Sequence, residues 1–285
     1  MNSLSTRLSG TRDWTRVGFL TEKLTGFVQG NLILGLDGTG TVWFDDVQVL
    51  PVKDGTAVTV PTWEMAPPAT PAADLLVWLK TDEAAGLGVF DWSQHGHSAE
   101  LRNVMWASDP VRGPCLEFDG QGMATIESAE GLNVPGGFTF ALWVNPAPEN
   151  AAGACILLRK YNFLGLTLGQ AKAPYTIGAD INGKWNLHAT APRVPASTWS
   201  HVAATYDNRT LRLYLNGKRV WEKEQVESKV NPSGFPLCVG GFWHEGRITS
   251  YGRYRGRLSD IRIFPRALAE ADVGHEYERT QRRAQ

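Results

Sequence analysis

The chain lacks most of what would class it at a glance. Of its 285 residues only three are cysteines: Cys115, Cys155 and Cys238. An odd number cannot pair completely within one chain, and there is no C-x-x-C spacing of the kind that holds zinc. Each stands between apolar neighbours, so each is expected to be a buried free thiol acting as a small hydrophobe. One disulfide plus one free thiol is the alternative. No run approaches the ~18 consecutive apolar residues that a membrane-spanning helix needs. Met1 to Gly10 is polar and has no apolar stretch like that of an export signal. Charge of one sign is missing too: Lys+Arg 28 against Asp+Glu 29 leaves a net charge of -1. A nucleic-acid binder would show a basic excess. Arg279, Arg282 and Arg283 gather at the end, where a solvated, frayed tail is expected from 278 to 285. G-x-S-x-G, H-E-x-x-H and phosphate-loop patterns are all absent.

What is present is β-structure. Gly 30 and Pro 16 suit many tight turns, and 11 Trp with 42% apolar residues can fill a large core. Trp199 to Trp221 reads as three consecutive antiparallel strands. His201 to Tyr206 is β-branched and aromatic. Leu211, Leu213 and Leu215 then alternate with Arg212 and Tyr214, the period of a strand with one buried face. Asn216-Gly217 joins the second strand to the third, because a type I′ turn needs φ > 0 at both central positions.

W-x-H-V-A-x-T-Y-D…L-x-L-Y-x-N-G-K resembles the laminin-G-like domains of the concanavalin A-like lectin superfamily. Other markers follow that family's order. They are the opening strand from Asp74 to Leu79, an Asp91-Trp92-Ser93 turn, Phe118-Asp119-Gly120, the strand from Phe138 to Val144, and a closing strand from Gly256 to Phe264. The resemblance implies an all-β, concanavalin A-like jelly roll of two antiparallel sheets over 74–277. A short helix is expected over 265–273.

Upstream, five prolines between 51 and 73 mark a linker at 53–73. Residues 1–52, with strand patterns at 14–19, 31–36 and 41–49, resemble the C-terminal half of xylanase-type carbohydrate-binding modules. About 50 residues without a disulfide is too little for an independent core. Either this piece packs on the downstream domain, or the chain is the tail of a longer exported protein, extracellular or at the cell surface.

Laminarinase-type glycosidases on this fold carry E-x-D-x-x-E, whose alternation sets the carboxylates on one face to flank a glycosidic bond. That motif is absent. Glu222 and Glu224 read as solvated charges, His95 and His97 as turn fillers, and His201 as packing. A non-catalytic module is expected, without a catalytic residue. Its expected partner is a polysaccharide or glycan; a protein partner in adhesion is the alternative, and a glycanase or polysaccharide lyase is a third reading.

Trp243, His244, Tyr251, Arg253 and Tyr254 are the expected ligand contacts. Their aromatics are interleaved with Gly, Arg and His instead of aliphatics. Trp185, in Asn182-Gly183-Lys184-Trp185, is a similar candidate. For Trp185 and Trp243 a core role stays open. The resemblance also implies a structural Ca²⁺ on Asp119 with help from Asp260. Asp119 capping its own turn is the alternative.

Overall fold

The computed structural model describes residues 74–281, apart from 85, 94, 128–129, 135, 151–153, 161–163, 183, 225, 227–231, 245–246 and 249–251. By its contacts the chain divides into two units, Met1–Thr70 and Pro71–Gln285. The strands expected at 14–49 and the carbohydrate-binding-module resemblance lie outside the described residues.

Eighteen strands are described. In chain order they are β1 (Val77–Leu79), β2 (Gly88–Val89), β3 (Ala99–Arg102), β4 (Met105–Asp109), β5 (Gly113–Asp119), β6 (Met123–Ile126), β7 (Phe138–Pro146), β8 (Ala154–Lys160) and β9 (Leu164–Gly169). Then come β10 (Thr176–Ile181), β11 (Lys184–His188), β12 (Ser200–Tyr206), β13 (Leu211–Leu215), β14 (Lys218–Lys223), β15 (Leu237–Val239), β16 (Trp243–His244), β17 (Arg247–Ile248) and β18 (Arg255–Phe264). Helix α1 (Glu270–Gln281) closes the chain.

The first sheet runs β14-β13-β12-β7-β18-β5-β4, with β1 also paired to β18; the second runs β11-β10-β9-β8-β15-β6-β3-β2. Neighbouring strands are antiparallel, as expected of a concanavalin A-like jelly roll. The β12-β13-β14 meander is the one the sequence announces, and Asn216 (φ 49°) with Gly217 (φ 76°) forms its tight turn.

The core lies between the sheets. Leu142, Val144, Val202, Ala204, Leu213 and Ile263 from the first sheet meet Leu157, Leu166, Ile177, Leu237 and Val239 from the second. β7 and β12 are buried on both faces, so they read as near-continuous apolar runs instead of alternating ones. What covers their outer side is α1. Val273 and Leu268 pack with Ala141, Ala203, Tyr214, Phe264 and Trp78 in a second, smaller cluster. Glu270 and Asp272 stand in the first turn of α1 and Arg279 in its last, each placed to complement the helix dipole.

The helix begins later and runs further than the sequence expectation. Residues 265–269 lead into it, and it continues through Thr280, which is buried. Residues 278–281 are therefore part of the folded unit and not a frayed tail. The three cysteines are free and buried, as expected. Burial pushes the Cys155 thiol up to about 12 and the Cys115 thiol to about 11.

Leu142 is fully buried where the sheets face each other. Leu142→Ala should cost about 3 kcal/mol through lost burial and the cavity left behind. Urea unfolding should show a lower midpoint with an unchanged slope.

Candidate functional site

The segment from Gly240 to Arg255 carries most of the predicted ligand contacts. After Val239 the chain leaves β15, and the Gly240 N–H donates to Leu157 O at 3.0 Å. It forms the hairpin β16–β17, in which Trp243 pairs with Ile248 and His244 with Arg247. It then returns at Gly252, whose carbonyl accepts from Ile156 N at 2.8 Å, and Tyr254 N donates to Gly240 O at 3.0 Å. Three backbone hydrogen bonds thus tie both ends of the hairpin to β8 and to each other. Gly240 has φ 73°, and a Cβ there would lie 2.3 Å from the Phe118 ring. A side chain at this exit would displace that core aromatic.

On one side, the base of the hairpin rests on the outer face of the second sheet. The Phe242 ring lies over the Arg159 guanidinium at 4.1 Å. Arg159 in turn pairs with Asp180 at 3.0 Å, both buried. β8, β9 and β10 stand side by side, with Arg159 opposite Gly165 and Gly165 opposite Asp180. Glycine between the two charged residues leaves room for the ion pair to lie across the strand. A Cβ on Gly165 would stand 3.3 Å from the Arg159 side chain.

On the other side is the β5–β6 turn. Arg253 Nη1 donates to Gly120 O at 3.2 Å and to Gln121 Oε1 at 2.6 Å. Asp119 accepts from Gln121 N at 2.7 Å, capping the turn as one of the two sequence readings has it. Asp119, Gln121 and Arg255 are exposed. The Asn150 carboxamide accepts from Arg255 N and donates to Arg255 O at 3.1 Å, fixing the start of β18. A turn with an exposed acid and amide, two arginines and an aromatic-bearing hairpin therefore meet at one end of the sandwich.

The predicted residues fare differently. Arg253 is half-buried against the turn, and Trp243 and His244 are on β16. Tyr251 lies outside the described residues. Tyr254 is a correction: it is fully buried in the core. Its ring packs edge-on against Phe118 at 5.9 Å, and its hydroxyl donates to Arg257 O at 3.1 Å. No face of that ring is left for a ligand, and burial raises its pKa well above the usual phenol value. Trp185 is on β11, at the edge of the second sheet and three strands from β8. β11 adjoins β10, which carries the Asp180 that pairs with Arg159 at the base of the hairpin.

The pairing of Asp119 with Asp260 is also corrected. Asp119 stands opposite Arg255 in the β5–β18 register, and Asp260 is five residues further along β18. At strand rise the two are about 16 Å apart, too far to share one Ca²⁺. Asp260 is buried, with φ 52° at a bulge in β18. Its carboxylate accepts from Trp78 Nε1 at 2.8 Å and from Arg262 Nε and Nη2 at 2.9 and 3.2 Å, and Arg112 stands at 3.9 Å. Those cations serve the helix. Arg262 pairs with Glu276 of α1 at 2.7 Å, and Arg112 donates to Thr280 O at 2.6 Å. Among the described residues no group of three or more His, Cys, Asp or Glu is placed to hold a metal ion.

The chain belongs to the concanavalin A-like lectin/glucanases superfamily. The Laminin G 3 family model matches residues 118–274. No curated protein matches the sequence significantly. Solved structures that share the fold include these three. Domain 4 of AbnA, an extracellular arabinanase from Geobacillus stearothermophilus in complex with arabinotriose, is 17% identical with a TM-score of 0.56, over 71% of this chain and 98% of that one. The binding domain of Paraclostridial Mosquitocidal Protein 1 is 15% identical with a TM-score of 0.56, over 72% and 52%. The ligand binding domain of botulinum neurotoxin serotype D, in complex with N-acetylneuraminic acid, is 15% identical with a TM-score of 0.51, over 72% and 51%. The chain spans about half the length of the two toxin domains.

Sequence reasoning missed Arg159, Asp180 and Gln121. The first two left a signal: each is a lone charge in an otherwise apolar strand, ACILLRK ahead of its final lysine and TIGADI.

Two groups under α1 give measurable consequences. Asp260→Asn leaves two buried guanidinium groups short of a charge and should cost about 3 kcal/mol. That loss should be the same with and without EDTA, because Trp78, Arg262 and Arg112 already occupy the Asp260 carboxylate. His201, packed against Trp143 and Tyr277, is pushed down from 6.5 to about 3, chiefly by burial; Asp260 opposes the shift, and Arg262 and Arg112 add to it. Between those values the unfolded chain binds a proton at this site and the folded chain does not. Stability therefore rises with pH over that window and levels off above it. The slope is at most about 1.4 kcal/mol per pH unit. Equilibrium unfolding of His201→Gln should show a flatter profile from about pH 4 to about pH 6.5 than wild type.

Proposed function

We propose that this domain is a non-catalytic carbohydrate-binding module, and that its ligand, a polysaccharide or glycan, is held by the β16–β17 hairpin and the β5–β6 turn. The observation that carries this reading is the Arg253 bridge to Gly120 and Gln121. It brings a rigid polar turn, with exposed Asp119 and Arg255 beside it, up to the base of a hairpin that carries Trp243 and His244. A flat aromatic ring offers apolar area to a sugar face, and fixed polar groups select its hydroxyls. The complexes with arabinotriose and N-acetylneuraminic acid, on domains of the same fold, support the ligand class. In this reading the chain is an accessory region of an exported protein, extracellular or at the cell surface.

The strongly perturbed groups speak for binding over catalysis. Burial lowers His201, raises Tyr254 and raises Glu276. His201 lies under α1, Glu276 is on α1 and paired to Arg262, and Tyr254 lies between the sheets, each with a structural neighbour that accounts for it. A catalytic acid or base would stand in a cleft.

A glycan array on the full chain, with Ca²⁺ and again with EDTA, identifies the ligand and tests the calcium expectation, for which Asp119 is the exposed carboxylate. Trp243→Ala and Arg253→Ala should then each weaken binding about tenfold or more, roughly 1.4 kcal/mol. Trp185→Ala should leave affinity unchanged. Loss of binding in Trp185→Ala alone would move the site to β11. No glycan bound by a folded chain would favour the protein-adhesion reading.

A further inference from the structure

We infer that the domain forms a homodimer through the free edge of β4, paired antiparallel with β4 of a second copy. Among the described residues β4 is hydrogen-bonded on one side only, to β5, and ends the first sheet. Three of the four most exposed large hydrophobic residues flank it: Leu87, Met105 and Val111. Leu87 precedes β2, the edge strand of the second sheet, and the Trp106 indole N–H donates to Gly86 O at 3.0 Å. Trp106 therefore bridges the edges of the two sheets, and Leu87 adjoins β4.

Soluble proteins guard open edges with charge. The opposite edge of the same sheet does so, with Lys218, Arg219, Glu222 and Lys223 along β14. β4 reads MWASD, and its single charge, Asp109, is buried and paired to Arg257 at 3.1 Å. Among the described residues, no exposed charge lies along β4 to keep another strand away.

The sequence of this edge suits a copy of itself. A twofold axis at Trp106 sets Met105 against the partner's Ala107 and Val104 against the partner's Ser108, and no charged side chain meets another. Pairs of apolar and small residues across an antiparallel strand pair are favourable, whereas like charges are not. A twofold contact needs such a self-complementary patch. The chain's net charge of -1 adds little long-range repulsion between copies.

The test is mass against concentration for the full chain, by light scattering after size exclusion, from about 1 to about 100 µM. The expected mass rises towards twice the 31.3 kDa of one chain. Leu87→Lys with Met105→Lys, both on exposed positions, should hold it at one chain throughout, with an unchanged melting temperature. Lys218→Glu on the guarded edge should behave as wild type. A wild type that stays at one chain over the whole range overturns the inference, whether because residues 1–73 or a different protein takes that edge. So does a dimer that survives both lysines.

Discussion

The buried contact between Asp260 and the two guanidinium groups of Arg262 and Arg112 is the constraint on which the rest of the domain depends. Charges taken out of water need partners, and breaking one such pair leaves the other charge uncompensated. Here the carboxylate comes from a bulge in β18 where the backbone has φ 52°. The cations come from β18 itself and from the turn between β4 and β5. Both then reach α1, one through Glu276 and one through the Thr280 carbonyl. Trp143 adds a third hydrogen bond, from Nε1 to the Thr280 hydroxyl at 2.9 Å. The helix has few apolar side chains, with only Val273 and Thr280 fully sequestered. Directional polar contacts, more than area, therefore set where it lies.

This docking has a consequence for function. With α1 on its outer side, the middle of the first sheet is buried on both faces, so its centre offers no surface to a ligand. What remains is the second sheet's outer side, the loop ends and the strand edges. The hairpin from β15 to β18 occupies the first two at once. Phe242 packs on the buried Arg159–Asp180 pair, and Arg253 ties down the β5–β6 turn. A hairpin held at both ends presents its tip with less conformational entropy to lose on binding than a free loop would.

Much of the architecture was legible because local signals agreed with one another. Asn216-Gly217 between two strand-like runs fixes the β13–β14 turn, and Asp207 caps the preceding one through Arg209 N and Thr210 N. The site was less legible, for three physical reasons. Tyr254 stands among arginines and glycines, but its side chain enters the core just before β18 begins, and the buried run of β18 that could have shown it begins only at Leu258. Asp119 and Asp260 belong to one family pattern, yet distance along a strand, which no pattern states, separates them. The full extent of α1 was missed because a helix docked by ion pairs lacks the apolar stripe that announces a helix.

The proposed site, one hairpin and one turn, would bury little of a sugar's surface. Its affinity for a single oligosaccharide is limited for that reason, since association must first overcome lost translational and rotational freedom. A polymer changes the balance, because it carries many copies of the same epitope. Two such sites held rigidly in one assembly turn the second contact into an intramolecular one, and apparent affinity rises without any new interaction. The proposed pairing through β4 would extend the sheet by hydrogen bonds and leave α1 and its ion pairs undisturbed. In the proposed homodimer, the same unguarded edge that would be a liability in an isolated jelly roll would be the means by which two weak sites act together on a polymer.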